Sequence, residues 1–257
     1  MLISALTVTR AGALPRLALA IGDLARQTHP RRELVVVHDA DATFNAAVEL
    51  LARRSSLAAT VERVEPGSTL GELRNRAAAL ARGALVAQWD DDDRHHPERL
   101  ARQAAAIDAR GASFAFLTDQ LHHFPLRGAL YWEDWSGESY PLDFVQGTLV
   151  GRRDRLPAYA PLRRGEDTAL CRTLVASGEP IARVRDAGWS YVYTFHGDNA
   201  FAASHHQAIA TAKQLSPARM LAREHLLRRR LAEYDPPLPT VVVPCGESAI
   251  EIQSGGR

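Results

Sequence analysis

The first part of the chain alternates between two kinds of hydrophobic pattern. Short apolar runs with β-branched members predict strands at residues 2–8, 33–38, 59–64, 84–89 and 113–118. Between these runs, apolar residues recur at helical spacing and predict four helices, which contain Leu17, Val48, Leu73 and Leu100. Strands that alternate with helices are typical of a parallel sheet covered by helices on its faces. The pattern therefore predicts an α/β fold with a mostly parallel central sheet.

The pattern changes after about residue 119. Aromatic and turn-forming residues dominate 121–141, and further strands are predicted at 144–150, 181–185 and 189–194. A helix is predicted to begin near Glu166, and a long helix is predicted from Ser216, a good N-cap that is followed by a proline. The proline-rich tail from Asp235 predicts an extended and loosely held segment.

Composition narrows the class of protein. The 257 residues carry 31 Lys and Arg against 30 Asp and Glu, a net charge of +1, so no bulk attraction to nucleic acid is expected. Two distant cysteines do not make a disulfide framework, and no apolar run approaches the roughly 18 residues of a membrane span. The apolar N-terminus lacks the basic start of a signal peptide. These features predict a globular protein of the cytoplasm.

Four consecutive aspartates, Asp90 to Asp93, directly follow a predicted strand. Parallel sheets bind ligands beyond the carboxyl ends of their strands. Neighbouring carboxylates repel one another unless a cation lies among them, and Mg²⁺ or Mn²⁺ is bound by one or two carboxylates together with substrate phosphates. The run therefore indicates a diphosphate–metal site. The alternative is a solvated acidic turn before the helix that starts near Pro97.

An ordered set of motifs resembles a known family. The motifs, in chain order, are LTVTR, ARQTHPRRELVVVHDAD, LRNRAAALARGALVAQWDDDD, HPERLARQ, GEDTAL and FHGDN. Over roughly residues 2–200 they resemble the family-2 glycosyltransferases, whose fold is GT-A, a Rossmann-type α/β/α sandwich. The sequence departs from the usual pattern at Thr9 and Arg10, where a Tyr-Asn pair is typical, and at His38, where the family often has an acid.

The resemblance implies a role for each matching residue. Asp39 would hydrogen-bond the nucleobase of the donor, Thr9 and Arg74 would contact the nucleotide, and Asp167 would be the general base. We call Asp90 to Asp93 the acid run. Asp90 and Asp91 would contact the nucleotide-sugar, and Asp92 would bind the metal directly. Asp93 would hold the other acids in place or lie exposed. His196 would be a further metal ligand. Glu166, Thr148 and Asn199 would contact the acceptor or hold other site residues in place.

The implied reaction is an inverting transfer of a sugar from a nucleotide-diphosphate sugar, with a UDP-sugar favoured, to an acceptor hydroxyl. It would require Mn²⁺ or Mg²⁺ and would belong to polysaccharide or glycoconjugate synthesis of a bacterial type, with a carbohydrate or lipid-linked acceptor. Residues 1–118 would then form the nucleotide-sugar-binding half and residues 119–214 the acceptor-binding and catalytic half. Residues 215–257 would add a C-terminal helix and an extended tail.

Chemistry supports these roles and also leaves alternatives. Glycosyl transfer needs a base for the attacking hydroxyl and positive charge for the departing diphosphate, and Glu166-Asp167 and the acid run could supply these two functions. Acids in the first turn of a helix are also a common way to favour its dipole. His196 suits a metal, a phosphate or an ordinary turn, because imidazole accepts all three environments.

Two other classes of function remain open at the level of sequence. His95 and His96, next to the acid run, would fit a metal-dependent phosphohydrolase or nucleotidyltransferase, although the chain has no P-loop. The departures at Thr9, Arg10 and His38 leave room for a non-catalytic nucleotide-sugar-binding module. Elsewhere, Trp132, Trp135 and Tyr140 are candidates for stacking on a sugar. The arginine-rich helix from Ser216 could rest on a membrane surface or be an ordinary solvated helix.

Overall fold

The computed structural model describes residues 1–138, 142–199 and 201–253. Its thirteen strands are β1 (Ile3–Val8), β2 (Arg32–His38), β3 (Ala58–Arg63), β4 (Leu85–Gln88), β5 (Arg94–His95), β6 (Phe114–Leu117), β7 (Asp119–Phe124), β8 (Ala129–Asp134), β9 (Val150–Arg152), β10 (Ile181–Val184), β11 (Tyr191–Thr194), β12 (Val241–Cys245) and β13 (Ser248–Ile252). Its seven α-helices are α1 (Leu14–Ala25), α2 (Ala42–Arg54), α3 (Leu70–Leu80), α4 (Arg99–Arg110), α5 (Glu166–Ala176), α6 (Ala203–Lys213) and α7 (Pro217–Leu231).

A seven-stranded sheet forms the centre of the molecule, with the strand order β10-β6-β9-β4-β1-β2-β3. All its pairings are parallel except those of β9, which runs antiparallel to β4 and β6. Alternate residues of one strand face opposite layers: Leu34 and Val36 pack with α1, α2 and α4, whereas Val35 and Val37 pack with α3 and α5. Helices on both faces make this an α/β/α sandwich, which confirms the predicted fold class.

The order of strands creates a crevice at the site. The chain proceeds outward from β1 through β2 to β3 and then returns to the other side of β1 as β4. Connections therefore diverge at the carboxyl ends of β1 and β4, the position at which open α/β sheets bind ligands. Thr9 follows β1, and the acid run follows β4.

The second half of the molecule contains a smaller sheet that the hydrophobic pattern did not indicate. Its strand order is β13-β12-β8-β7-β11-β5, and α7 packs on it through Met220, Leu227 and Leu231. The predicted strand at 144–150 is largely wrong, because residues 146–148 form a 3₁₀ turn and β9 begins only at Val150.

The C-terminal tail is well packed, which contradicts the expectation of a loosely held segment. The strands β12 and β13 form an antiparallel hairpin, and β12 joins β8. Val241, Val243 and Ile252 are buried in the same core as α7. Apolar residues alternate along the hairpin, so one of its faces packs into the core. The prolines of this segment had favoured a loose tail instead.

Candidate active site

A cleft of about 450 Å³ opens at the carboxyl ends of β1, β2 and β4. Most of the predicted site residues line it, although they come from six separate segments of the chain. Those residues are Thr9, Asp39, Arg74, Asp90, Asp91, Asp92, Asp93, Glu166, Asp167 and Asn199. We refer to this space as the donor cleft.

The four consecutive aspartates have different partners. Asp90 accepts a hydrogen bond from Gln88 at 2.9 Å, and Asp91 accepts one from the Thr9 hydroxyl at 2.5 Å. Asp92 lies 3.0 Å from Nε2 of His196. Asp91 and Asp92 are thus oriented by side chains from distant parts of the chain, and Asp90 by a side chain of the preceding strand.

Asp93 is buried behind the other three aspartates. Its carboxylate accepts hydrogen bonds from the Tyr191 hydroxyl and from the backbone N–H of Thr194 at 3.0 Å. Burial and the charges of Asp92 and Asp90 raise its pKa well above the usual range. The residue therefore anchors the acid run to β11, and only 1% of its surface is exposed.

Burial and charge repulsion together bring the pKa of one member of the run close to neutrality. Burial, followed by the charge of Asp92, raises the pKa of Asp91 to about 7, although the Thr9 hydroxyl opposes this shift. A cation among these carboxylates would relieve the repulsion and displace the proton.

Arg74 is held between two carboxylates at the wall of the cleft. Its guanidinium lies 2.9 Å from Asp90 and 2.8 Å from Glu166. Burial alone would lower the pKa of Arg74, but the charges of Asp90 and Glu166 raise it well above its ordinary value. The geometry makes Arg74 a buried link between the acid run and the start of α5, and the nucleotide contact that the resemblance implied stays a prediction.

Asp167 lies in the first turn of α5. The helix begins after Gly165, whose φ of 75° is in the left-handed region that favours glycine. The Asp167 carboxylate accepts the backbone N–H of Thr168 at 2.6 Å and lines the donor cleft. Burial raises the pKa of Asp167, and the nearby charge of Arg74 lowers it in part. Glu166 turns away from the opening, toward Arg74, and is 2% exposed.

His196 and Asn199 belong to one turn after β11. The Asn199 side chain accepts the backbone N–H of His196 at 2.8 Å and donates to the Thr194 carbonyl at 3.0 Å. Nδ1 of His196 accepts the backbone N–H of Asp198, so the ring proton of the neutral tautomer lies on Nε2 and is donated to Asp92. In this arrangement His196 orients Asp92.

Asp39 lies where β2 ends, half-buried at the edge of the donor cleft. One of its oxygens accepts the backbone N–H of Gly67 at 3.0 Å. The loop before α3 is thereby tied to the end of β2, and the carboxylate remains among the residues that line the cleft.

Thr148 does not reach the cleft, contrary to its assignment to the acceptor side. Its side chain is fully buried, and its hydroxyl donates to the Val145 carbonyl at 2.6 Å and accepts the N–H of Leu117 at 3.0 Å. The hydroxyl is used to close the 3₁₀ turn against β6. The two preceding residues, Gln146 and Gly147, line a neighbouring cavity instead.

That neighbouring cavity has a volume of about 160 Å³ and adjoins the donor cleft. We call it the side pocket, and the residues that matter here are Gln120, His122, Trp135, Asp167, His206 and Ile209. Of the three aromatic candidates, Trp135 lines the side pocket, Trp132 is buried in the core with its indole N–H on Asp119, and Tyr140 lies outside the described residues.

His95 and His96 are both fully buried and do not line the donor cleft. The His95 ring packs on Trp89 at 3.7 Å between ring centroids, and Nε2 of His96 lies 2.8 Å from Glu233. The hydrolase interpretation required them as metal ligands, and their positions remove that support. Among the described residues, no group of three His, Cys, Asp or Glu side chains is arranged to hold a metal without help from a substrate.

The sequence motifs did not predict that arginines line the donor cleft. Arg10, Arg163 and Arg164 also line it. The adjacent pair at 163–164 directly precedes the GEDTAL motif, and that proximity was the available signal. Their positive charge faces the space in which a diphosphate would be attracted.

The arginine-rich face of α7 is largely neutralised within the molecule. Arg219 pairs with Asp134, Arg223 with Asp186, and Arg230 with Glu98. These pairs favour an ordinary solvated helix. In the part of the chain that the structure describes, no helix is long and apolar enough to cross a membrane.

Comparisons with known proteins agree with this architecture. Residues 6–124 match the model of the family described as Glycosyl transferase family 2. The structure of S. aureus TarS 1-349 in complex with UDP-GlcNAc aligns with a TM-score of 0.60 and 19% identity, over 91% of this chain and 68% of that one. The mannosyltransferase PcManGT from Pyrobaculum calidifontis, in complex with GDP-Man and Mn²⁺, aligns with a TM-score of 0.57 and 17% identity, over 90% and 70%. No curated protein matches the sequence.

Proposed function

We propose that this chain, whose residues 6–124 match the model of glycosyl transferase family 2, is a glycosyltransferase of that family, and that it moves a sugar from a UDP-sugar to an acceptor hydroxyl by metal-dependent inverting displacement. The observation that carries the proposal is the convergence of the acid run and Asp167 on one cleft. TarS binds UDP-GlcNAc and PcManGT binds GDP-Man with Mn²⁺, and both have this fold. These two complexes support a nucleotide-sugar donor and a divalent cation here.

The residues present fit a hard divalent cation. Carboxylate oxygens are the preferred ligands of Mg²⁺ and Mn²⁺. Burial is the main cause of the raised pKa of Asp91, and the charges of Asp92 and Asp90 add a repulsion that a cation would relieve. We assign Asp92 as the direct ligand, with His196 holding its carboxylate in place. Asp90 and Asp91 would contact the nucleotide-sugar, and Asp39 its base. When bound, the cation would neutralise charge on the diphosphate leaving group.

The main chemical step assigned to the chain's own residues is removal of the acceptor's proton. Asp167 accepts the proton of the attacking hydroxyl as that oxygen bonds to the anomeric carbon and the bond to the diphosphate breaks. Asn cannot replace it in this step, because a side-chain amide does not take up a proton at neutral pH. A single displacement of this kind inverts the anomeric configuration.

Arg74 supports both functions without touching the reacting atoms. It holds Asp90 on the donor side and Glu166 beside the base. We propose that residues 1–118 bind the donor, that residues 119–214 supply the base and the acceptor side, and that residues 215–257 complete the smaller sheet. The acceptor would be a carbohydrate of a polysaccharide or glycoconjugate.

The direct test is a thermal-shift screen of nucleoside diphosphates and nucleotide sugars, with and without Mn²⁺. A ligand at about 100 times its Kd stabilises the native state by about 2.7 kcal/mol. We expect uridine diphosphate with Mn²⁺ to stabilise the parent protein, and Asp92→Asn to lose the Mn²⁺-dependent part. Asp108→Asn, an exposed acid on α4, is the matched control.

Two results would count against the proposed function. If no nucleoside diphosphate stabilised the parent protein, the cleft would not be a donor site. If a donor bound but the product kept the anomeric configuration of the donor, the single displacement would be wrong. Product configuration is measured by NMR of the purified glycoside.

A further inference from the structure

A buried carboxylate on α1 holds the segment that follows the acid run. Asp23 is fully buried, and it contacts the two residues that come directly after Asp93. Its carboxylate accepts Nε of Arg94 at 2.8 Å, Nη2 of Arg94 at 3.1 Å and the backbone N–H of His95 at 2.8 Å. Arg26, one turn further along α1, donates to the same carboxylate. The oxygens of Asp23 are therefore engaged inside the protein, mainly by groups that adjoin the acid run.

The contact between Asp23 and Arg94 has a fork geometry. Nε and Nη2 of the guanidinium meet different oxygens of the carboxylate, so the two planar groups are fixed both in distance and in direction. Both residues are more than nine-tenths buried, and a buried charge is costly unless it is paired and hydrogen-bonded. The fork therefore fixes the position of Arg94 relative to α1.

The strand that contains Arg94 gives the segment little support of its own. Arg94 and His95 form the whole of β5, which lies at the edge of the smaller sheet and pairs with Tyr191 and Val192 of β11. So short a ladder contributes little stability by itself. Asp23 adds a second anchor, which comes from a helix of the central sandwich rather than from the smaller sheet.

The chain that follows α7 encloses Arg94 from another side. Nη2 of Arg94 donates to the Pro236 carbonyl at 2.9 Å, and the guanidinium lies over the Tyr234 ring at 5.6 Å from its centroid. Arg94 thus joins α1 and the end of α7 at the point where the acid run ends. The side chain could not turn away without losing several of these contacts together.

The proposed cation ligand is close to this anchor in the chain. Asp92 precedes Arg94 by two residues, which span about 7 Å when extended. Asp93, between them, is bonded to Tyr191 and to the backbone of Thr194. Mg²⁺ requires ligand oxygens at about 2.0–2.1 Å in near-octahedral directions, so a carboxylate whose backbone is displaced binds the cation more weakly.

We propose that Asp23 is a positioning residue of the cation site. Through Arg94 and the His95 N–H it fixes the end of the acid run, so that Asp92 stays where it can meet the cation. Asp23 itself touches neither cation nor substrate. The inference rests on the proposed function for the cation, whereas the anchoring of the acid run can be measured without cation or nucleotide.

Glu33 offers a matched control at the opposite edge of the central sheet. It is buried near the start of β2, and it accepts Nε of Arg82 at 2.7 Å and the backbone N–H of Arg82 at 2.8 Å. Like Asp23, it is a buried carboxylate that holds an arginine and a backbone N–H. Because β2 and β4 both run parallel to β1, Glu33 lies at the amino-terminal edge and the acid run at the carboxyl-terminal edge.

The first measurement is Mn²⁺ affinity, by calorimetric titration of the full chain with uridine diphosphate present and below the unfolding temperature of each variant. Asp23→Asn keeps an acceptor for the His95 N–H but loses the charge that faces Arg94. We expect its Mn²⁺ affinity to fall by about 5- to 20-fold, less than the about 10- to 100-fold typical of a group bonded directly to a metal ligand. Glu33→Gln should lower stability but keep Mn²⁺ affinity within about twofold of the parent, because distant sites act independently. Parent-like affinity in Asp23→Asn, or equal losses in both variants, would overturn the proposal.

Arg94→Lys tests the same link if Asp23→Asn does not fold. Lysine keeps the positive charge but replaces the fork with a single point of attachment, so Mn²⁺ affinity should fall by about threefold or more. If Asp23 acts through Arg94, the double variant should bind no more than about twofold more weakly than the weaker single variant. Unchanged affinity in Arg94→Lys, or losses that add in the double variant, would overturn the proposal.

Hydrogen exchange separates this inference from the proposed function. Without cation or nucleotide, peptides that cover residues 90–96 should exchange about tenfold faster in Asp23→Asn than in the parent, relative to peptides from β1, and should not do so in Glu33→Gln. Faster exchange in a protein that binds no Mn²⁺ would support the anchor and contradict only the proposed function. Mn²⁺ binding that is equal in the parent and in Asp23→Asn would contradict only the role of Asp23.

Discussion

The donor cleft and the side pocket share Asp90 and Asp167 but differ in how their walls are built. The cleft combines seven aspartates and one glutamate with four arginines, so its geometry depends on charge. Besides these two carboxylates, the side pocket is lined by amide, imidazole and indole groups, and Gln120 and His122 are held by hydrogen bonds to a buried glutamate. Charge attracts a diphosphate from a distance, whereas directed hydrogen bonds act only at short range. The difference suggests that changes in the two spaces can be measured separately, except at the wall they share.

The largest effect, on turnover, is expected for a substitution of Asp167, which lines both spaces. Asp167→Asn keeps the shape of the side chain but cannot take up a proton. Turnover should fall by about 10²- to 10⁴-fold, the usual contribution of a positioned general base. Nucleotide affinity should stay within a few fold. Single-turnover transfer, beside a nucleotide titration, measures this. Near-parent turnover would move the base elsewhere, and Glu166 would be examined next.

The next effect concerns stability in the donor cleft. Arg74→Met leaves Glu166 buried without its cation, and breaking a buried ion pair in this way costs about 3–5 kcal/mol. Arg76→Met on the same helix removes an exposed pair with Glu62 and should cost no more than about 1 kcal/mol. Urea unfolding of both variants gives the comparison. Equal losses would mean that Arg74 is not a structural link.

A third experiment distinguishes a residue that orients a ligand from one that is a ligand. His196→Ala should lower Mn²⁺ affinity in the presence of uridine diphosphate by about 10- to 100-fold, the usual effect of losing a partner that orients a metal ligand. His196→Gln retains an N–H donor for Asp92 and should recover much of the loss. Calorimetric titration measures both, with His205→Ala in the side pocket as the control. A Gln variant as weak as Ala would make the imidazole itself the ligand.

The smallest effect is a contrast in pH dependence. Because the pKa of Asp91 is raised to about 7, a proton competes with the cation below that pH, and donor affinity should fall by at most about tenfold for each further pH unit. Burial lowers the pKa of His206 to about 4, so this ring stays neutral over the same range and should add no pH dependence of its own. Titrations of uridine diphosphate with Mn²⁺ against pH measure this. A nucleotide affinity that stayed flat down to about pH 5 would mean that no proton competes with the cation.

The sequence predicted the central sheet better than the smaller sheet, for a physical reason. The strands of the central sheet are continuous apolar runs, and the helices between them have one apolar face, so both are visible in a local window. In contrast, β7 contains the buried His122 and His123, and α6 contains the buried His206, so their polar composition resembles a loop. These side chains are buried because partners elsewhere in the chain satisfy or pack against them.

The same limit applies to the site. The acid run and GEDTAL were recognisable because their residues are adjacent in sequence. The pairing of Arg74 with Glu166 and of His196 with Asp92 joins segments about a hundred residues apart, and no local pattern contains it. Thr148 was misassigned because a hydroxyl suited to a ligand is equally suited to a backbone turn.

The C-terminal hairpin has a consequence for aggregation. Without β12 and β13, the edge of the smaller sheet would be β8, whose free backbone groups could pair with another molecule. The hairpin transfers that edge to β13, where Glu251 is exposed and charge discourages edge-to-edge pairing. A chain shortened before Leu238 would therefore be expected to self-associate through β8 while its central sheet still folds. Fusion partners and truncations for crystallisation or production should leave the hairpin intact.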